Sequence, residues 1–317
     1  MTEDVCVAQL QEAPGDDARW AVYADLLQAR GDLRGELIAL SLTRKSRRER
    51  LFRQKHHAAL GLTAVLGLLD ENRLSVDWEH GHLATLTLQR GQHVRRAPWS
   101  LPRVVNEVLS HPLAFALHRV NVAAPANDED AQALVEALVA NGAAVSDLTL
   151  WLEGTRLHAA PLLRLPLLTK LSLSSVATLD SASAARLEEL TVFAFDEQSW
   201  ECRLGTLEAP RLRALSLRSW TDTRPAVSRW VREACRAPNL RRLSLEVRFT
   251  SQVIEAIADS VFAKSLEKLS VITMDEASAE VLLRRRADLP RLISVSAHQQ
   301  RVPQATELRL RAEFSGR

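Results

Sequence analysis

Residues 212–217 read Leu-Arg-Ala-Leu-Ser-Leu, residues 240–245 read Leu-Arg-Arg-Leu-Ser-Leu, and residues 266–271 read Leu-Glu-Lys-Leu-Ser-Val. Each phrase is a pair of apolar residues flanking one small hydroxylated residue, with a third apolar residue three positions upstream. Indexed by the first residue of that pair, the phrase recurs at Leu86, Val120, Leu148, Leu171, Leu190, Leu215, Leu243, Leu269 and Val295, with a weaker copy at Leu308. Neighbouring copies lie 19 to 34 residues apart, and the last interval is 13. A unit this short cannot bury its own apolar face, so a solenoid of stacked copies with a shared core is expected. Period-two alternation makes each copy a short strand with one buried face. The residue inside the pair then points away from the core: Thr87, Asn121, Thr149, Ser172, Thr191, Ser216, Ser244, Ser270 and Ser296. A row of small polar residues suits a parallel sheet on the inside of a tight curve.

The segments between copies read as helices or turns. Residues 128–140 carry an acidic first turn and stop at Asn141-Gly142. Residues 225–236 begin on proline and put Val227, Trp230, Val231 and Ala234 on one face. Thr250 or Ser251 is placed to cap a helix through Val253, Ile254, Ile257 and Val261, and residues 277–286 predict another. The shortest spacings leave room only for a turn. Pro210, Pro238 and Pro290 each precede a strand leucine by two residues, where proline ends a helix and starts an extended segment.

From about Leu83 onward, this LxxLxL core resembles the leucine-rich repeat. The resemblance implies a right-handed α/β solenoid, with a parallel sheet on the concave face, over residues 76–317 with a short C-terminal cap. The chain departs from the family at the asparagine three residues past the core. Glu153, Val176, Phe195, Trp220, Arg248 and Met274 stand there, so an irregular horseshoe is expected. The competing expectation is an ordinary α/β sheet.

Residues 1–75 lack the phrase and read as a helical domain. Gly15-Asp16-Asp17 opens a helix with Trp20, Tyr23, Ala24 and Leu27 on one stripe, closed by Gly31. Tyr23-Ala24-Asp25, the Arg30-Gly31-Asp32 turn and Arg34-Gly35-Glu36 resemble the repeat-companion domain found beside leucine-rich repeats in large-genome bacteria. The stretches 57–61 and 78–81 resemble its continuation into a first strand. That resemblance implies a cap over the open end of the solenoid, and the family has no established catalytic activity to carry over. An open end exposes apolar core and needs a polar-backed cover. Trp20, Tyr23 and Leu27 are expected to face the first repeat, with Asp25, Arg34 and Glu36 as a local charge network.

The chain has 317 residues, 41 basic against 39 acidic, for a net charge of +2. This balance gives no argument for nucleic acid or a membrane surface as partner. Cys6, Cys202 and Cys235 are widely spaced and form no CxxC pair, which suits free thiols in a reducing compartment. The acidic start has no signal-peptide pattern, and the longest uncharged apolar stretch, 58–69, is too short to span a bilayer. A cytoplasmic monomer without cofactor or membrane span is expected.

Motifs for chemistry are sparse. GxSxG, GxxxxGK[ST] and GxGxxG are absent from the sequence. His80-Gly81-His82, beside Asp77 and Glu79, lacks a second ligand pair at metal-binding spacing and reads as a loop before the first strand. Residues 44–55 (RKSRRERLFRQK) set seven basic residues against Glu49. If helical, they present Arg44, Arg47, Arg48 and Lys55 on one surface. That surface is either a binding face for an anionic polymer or the solvated side of a helix. Among outward strand positions, Trp151, Phe193, Arg218, Arg242, Glu246 and Lys268 form the mixture of aromatic and charged side chains found at protein interfaces. The first expectation is therefore a non-catalytic protein that binds a protein partner on its concave sheet. The second is a regulator or inhibitor of an enzyme or toxin. The third is an anionic-polymer binder acting through residues 44–55.

Overall fold

The computed structural model describes residues 2–72, 74–89, 100–124, 127–178, 184–194, 206–219, 224–248 and 251–314. The chain is mixed α/β, with ten strands of mostly parallel sheet and, among the described residues, eleven α-helices. Two compact units divide it: residues 1–153 with 165–167, and residues 154–164 with 168–317.

The first unit opens with five helices, α1 (Glu3–Glu12), α2 (Asp17–Gln28), α3 (Leu33–Leu42), α4 (Ser46–His56) and α5 (Leu62–Asn72). Asp16 caps α2, accepting from the backbone N–H of Ala18 and Arg19, and Asp32 caps α3 through Arg34 N–H. Cys6, Leu10, Trp20, Tyr23, Ala24, Leu27, Ile38 and Ala116 form one buried cluster. At Gly35, α3 lies so close to α2 that a Cβ would stand 2.7 Å from the Ala24 carbonyl oxygen.

The charge network at the α2–α3 turn differs from the sequence expectation. Arg34 lies 2.6 Å from Asp32 and 3.1 Å from Glu3, and Arg30 lies 2.9 Å from Glu3. Asp25 and Glu36 are exposed. Glu3 comes from α1, far away in sequence, so local spacing had no means of finding it.

β1 (Leu74–Glu79) and β2 (His82–Gln89) pair antiparallel around the two-residue turn His80-Gly81. Both turn residues have positive φ, +47° and +73°, as a tight hairpin with right-handed strand twist requires. β1 has no counterpart in the repeat phrase. β3 (Arg119–Ala123) and β4 (Asp147–His158) then join β2 in parallel, after α6 (Leu101–Leu109) and α7 (Asp128–Asn141) respectively. Asn127 caps α7. The index residues Leu86, Val120 and Leu148 stand opposite one another.

In the second unit, the main strands are β5 (Lys170–Thr178), β6 (Glu189–Ala194), β8 (Ala214–Ser219), β10 (Arg242–Arg248), β11 (Lys268–Asp275) and β12 (Ser294–Arg301), paired in that order and parallel. The two-residue strands β7 (Leu207–Glu208) and β9 (Cys235–Arg236) form a separate parallel ribbon. Helices α8 (Arg224–Glu233), α9 (Ser251–Ala258) and α10 (Glu276–Arg284) lie in the connections after β8, β10 and β11, and α11 (Gln304–Phe314) follows β12.

The register runs Leu171, Leu190, Leu215, Leu243, Leu269, Val295, index residue to index residue across all six strands. The five leucines are each 1% exposed. Full burial of such a side chain is worth about 1.5–3 kcal/mol, so this ladder is a main source of stability. The weaker copy at Leu308 is no strand. It lies on α11 with its side chain 59% exposed, while Thr306, Leu310 and Phe314 are buried.

Candidate functional site

The exposed face of the second unit is organised in three rows. Register places Lys170, Glu189, Ala214, Arg242, Lys268 and Ser294 side by side across β5, β6, β8, β10, β11 and β12. One step further along the strands comes the hydroxyl row, Ser172, Thr191, Ser216, Ser244, Ser270 and Ser296. The third row holds Phe193, Arg218 and Glu246 on β6 to β10, in register with Ser174 of β5, which is buried. Each row is a consequence of period two: it alternates along the strands with buried apolar residues such as Leu171, Val192, Leu217 and Val271.

Most of the long side chains on this face meet one another. Arg242 reaches across β8 to Glu189 on β6 at 3.1 Å, and Lys170 approaches Glu189 from the other side at 3.6 Å. This crossing passes over Ala214, whose methyl group leaves the space. Arg218 stands 2.8 Å from Glu246, and its guanidinium lies 4.8 Å above the Phe193 ring in a cation–π contact. Lys268 is exposed. Between the charged row and the hydroxyl row lies a shallow groove of about 340 Å³, lined by Glu189, Thr191, Arg242, Ser244, Lys268 and Ser270 among others. The Ser216 hydroxyl, in the same groove, is buried and has no hydrogen-bond partner among the described residues.

Five of the six expected interface residues therefore share one face. Phe193, Arg218, Arg242, Glu246 and Lys268 sit within three adjacent register rows of the second unit. Trp151 belongs to β4 in the first unit, where it is half-buried opposite Ala123. The expectation left out Glu189, the acid that organises the charged row. Its signal was the alanine at 214 in a row of long side chains, which is legible only once strand neighbours are known.

The basic run is helical over α4. Arg44, Arg47, Arg48 and Lys55 are all exposed, as are Lys45 and Arg50. Arg53 is the exception: it lies 3.6 Å from the buried Glu49 and 4.1 Å over the Trp78 ring. Burial pulls its guanidinium below the ordinary arginine value.

The His80–His82 pair is structural in its surroundings. His80 Nε2 lies 2.7 Å from Asp17, and both imidazoles stack on the Trp20 indole, with centroids at 5.2 and 4.4 Å. His82 is 1% exposed. Burial pushes its pKa down to about 3, with the neighbouring His80 and His118 adding to the effect. Among the described residues, no group of three or more His, Cys, Asp or Glu side chains is placed to hold a metal ion. Among them also, no helix is long and apolar enough to cross a membrane. Cys235 is buried, and burial pushes its thiol up to about 12.

No family model matches the chain, and no curated protein matches it. Among solved structures, it is similar to a structural-genomics crystal structure of a protein from Bacteroides fragilis, at 15% identity and a TM-score of 0.49 over 67% of each chain. A likeness at that level assigns neither a fold nor a function to this chain.

Proposed function

We propose that the chain is a non-catalytic interaction protein that holds a protein partner on the exposed sheet face of its second unit. On this reading, the strand-and-connection units are leucine-rich repeats of an irregular solenoid, and residues 1–75 cap its open end. The observation that carries the reading is the pre-ordered surface around the groove. Phe193, Arg218 and Glu246 are locked together by a cation–π contact and an ion pair. Arg242 is held by Glu189. Aromatic and arginine side chains carry most binding energy at protein interfaces. Ordering them before contact reduces the entropy lost on association. Lys268 and the serine row supply donors around them.

The test is affinity capture from native lysate at two salt concentrations, comparing the wild-type chain with Phe193→Ala and Arg242→Glu. A discrete protein retained by the wild type at high salt, and lost by both variants with unchanged melting temperature, is the expected result. Equal retention by all three proteins would remove the interface from this face.

A further inference from the structure

We propose that α4, with the two residues before it, binds the phosphate backbone of double-stranded nucleic acid without reading its sequence. This surface lies on the first unit and shares no residue with the sheet face above. At about 100° per residue in a helix, Arg47, Arg48, Arg50, Leu51, Gln54 and Lys55 fall within one arc of about 160°. Every one of them is exposed. The opposite side of the helix holds Glu49, Phe52, Arg53 and His56, all buried or half-buried. Phe52 packs on His56 at 4.5 Å, and Arg53 packs over Trp78.

The helix thus sorts its charges. The acid in it, Glu49, is turned inward and pairs with Arg53, the basic residue that is turned inward too. The outward cations are left without a carboxylate. Among the described residues, Arg44, Lys45, Arg47, Arg48, Arg50 and Lys55 make no ion pair. Elsewhere, exposed arginines are commonly paired, as Arg119 is with Asp147 and Arg309 with Glu280. The chain's net charge of +2 conceals this segregation. Arg44 also ends α3 at φ +53°, a conformation in which glycine or asparagine is the low-cost residue.

The chemistry of the face selects the partner. Arginine forks match phosphate oxygens in pairs. Leu51, 52% exposed, is the one apolar side chain in the arc, which is too little to insert into a bilayer interface. Aromatic rings to stack on unpaired bases are missing from the arc, which turns the surface away from single strands. A protein interface of this size would centre on aromatic anchors. The nine residues from Arg47 to Lys55 span eight helical steps, about 12 Å of helix. Duplex presents about one phosphate per 1.7 Å of axis, roughly half of them on one side, so about four contacts are within reach.

The experiment is fluorescence anisotropy of the full chain with labelled 20-base-pair duplexes of arbitrary sequence, one DNA and one RNA, at 50–200 mM KCl. Four contacts predict a log–log salt slope near −3.6, or about 150-fold weaker binding across that range. Arg47→Glu/Arg48→Glu removes exposed, unpaired side chains, so it should keep the wild-type melting temperature and lose at least about 10-fold in affinity at 100 mM. Preference for one duplex assigns the source as DNA or RNA; equal binding assigns backbone recognition common to both. The proposal is overturned if neither duplex binds at 50 mM, or if binding is insensitive to salt or to the double reversal. It is also overturned if polyglutamate binds as tightly as duplex. Vesicles with 30% anionic lipid that bind more tightly than duplex, and lose binding with Leu51→Ser, would give the face to a membrane instead.

Discussion

Gly81 concentrates two demands in one residue. Its φ is +73°, and a Cβ there would stand 2.9 Å from Ile38 N and from Leu37 C, both backbone atoms of α3. Neither neighbour can rotate away, so Gly81→Ala combines left-handed strain of about 1–2 kcal/mol with a clash against main chain. Gly15→Ala is the matched control, since nothing lies within 4 Å of its added methyl group. Urea denaturation should show Gly81→Ala destabilised by at least about 2 kcal/mol and Gly15→Ala changed by under about 1 kcal/mol. Equal effects would mean that the hairpin turn does not pack on α3 as described. At this scale the sequence was informative wherever the deciding partner was local. Asp16, one residue before α2, is a visible cap. Glu3 was hidden because the arginines it meets lie 27 and 31 positions away. Ala214 reads as an unremarkable small residue until Arg242 and Glu189 are seen to meet across it.

Elements were legible where their period was unbroken. The repeated apolar pair located nine strands, because a side chain that alternates in and out leaves its register in the sequence. Residues 304–314 show where that logic fails. Leu308 and Leu310 flank Arg309, which keeps the apolar–polar–apolar alternation of the strand phrase without its small hydroxyl, yet the segment is α11. Thr306, Leu310 and Phe314 are four residues apart and share its buried stripe. Glu307 and Arg311 form an i,i+4 pair at 2.6 Å on the helix surface. A six-residue phrase cannot separate period two from period 3.6; the eleven-residue helix can. The two readings differ at Leu308, which a strand would bury beside Leu310 and the helix exposes. The helix requires Leu310→Ala to destabilise by about 2–3 kcal/mol and Leu308→Ala by under about 0.5 kcal/mol. Thermal melts of both variants decide it. A loss from Leu308→Ala comparable to that from Leu310→Ala would return the segment to a strand.

For the whole molecule, the separation into two compact units has a consequence for acid stability. Among the described residues, the histidines held below their ordinary pKa are His82 and His111, and both belong to the first unit. Burial is the leading cause in each. For His82, the nearby backbone of Ala116 and Glu79 offsets only part of that effect. Above pH 6.5 the His82 imidazole is neutral whether the chain is folded or unfolded, and its contribution to stability is fully present. As pH falls below 6.5, only the unfolded chain takes up the proton, because the folded value is about 3. Stability is therefore lost progressively from 6.5 down to about 3, at up to about 1.36 kcal/mol per pH unit, or roughly 2 kcal/mol by pH 5. Asp32 behaves in the same sense but in a lower window. Its carboxyl is held down chiefly by its bond from Arg34, so that contribution persists until pH drops below the ordinary carboxylate range. Between pH 6.5 and 5 the acid sensitivity should thus reside in the first unit. Hydrogen exchange at pH 7.5 and pH 5, corrected for intrinsic rates, should show amides of α2 and β2 losing protection while those of β8 and β10 keep theirs. His82→Leu should abolish most of that difference, since it removes the proton acceptor and leaves an apolar side chain against Trp20. Protection lost equally in both units, or an undiminished loss in His82→Leu, would mean that the buried imidazole is not what couples this fold to pH.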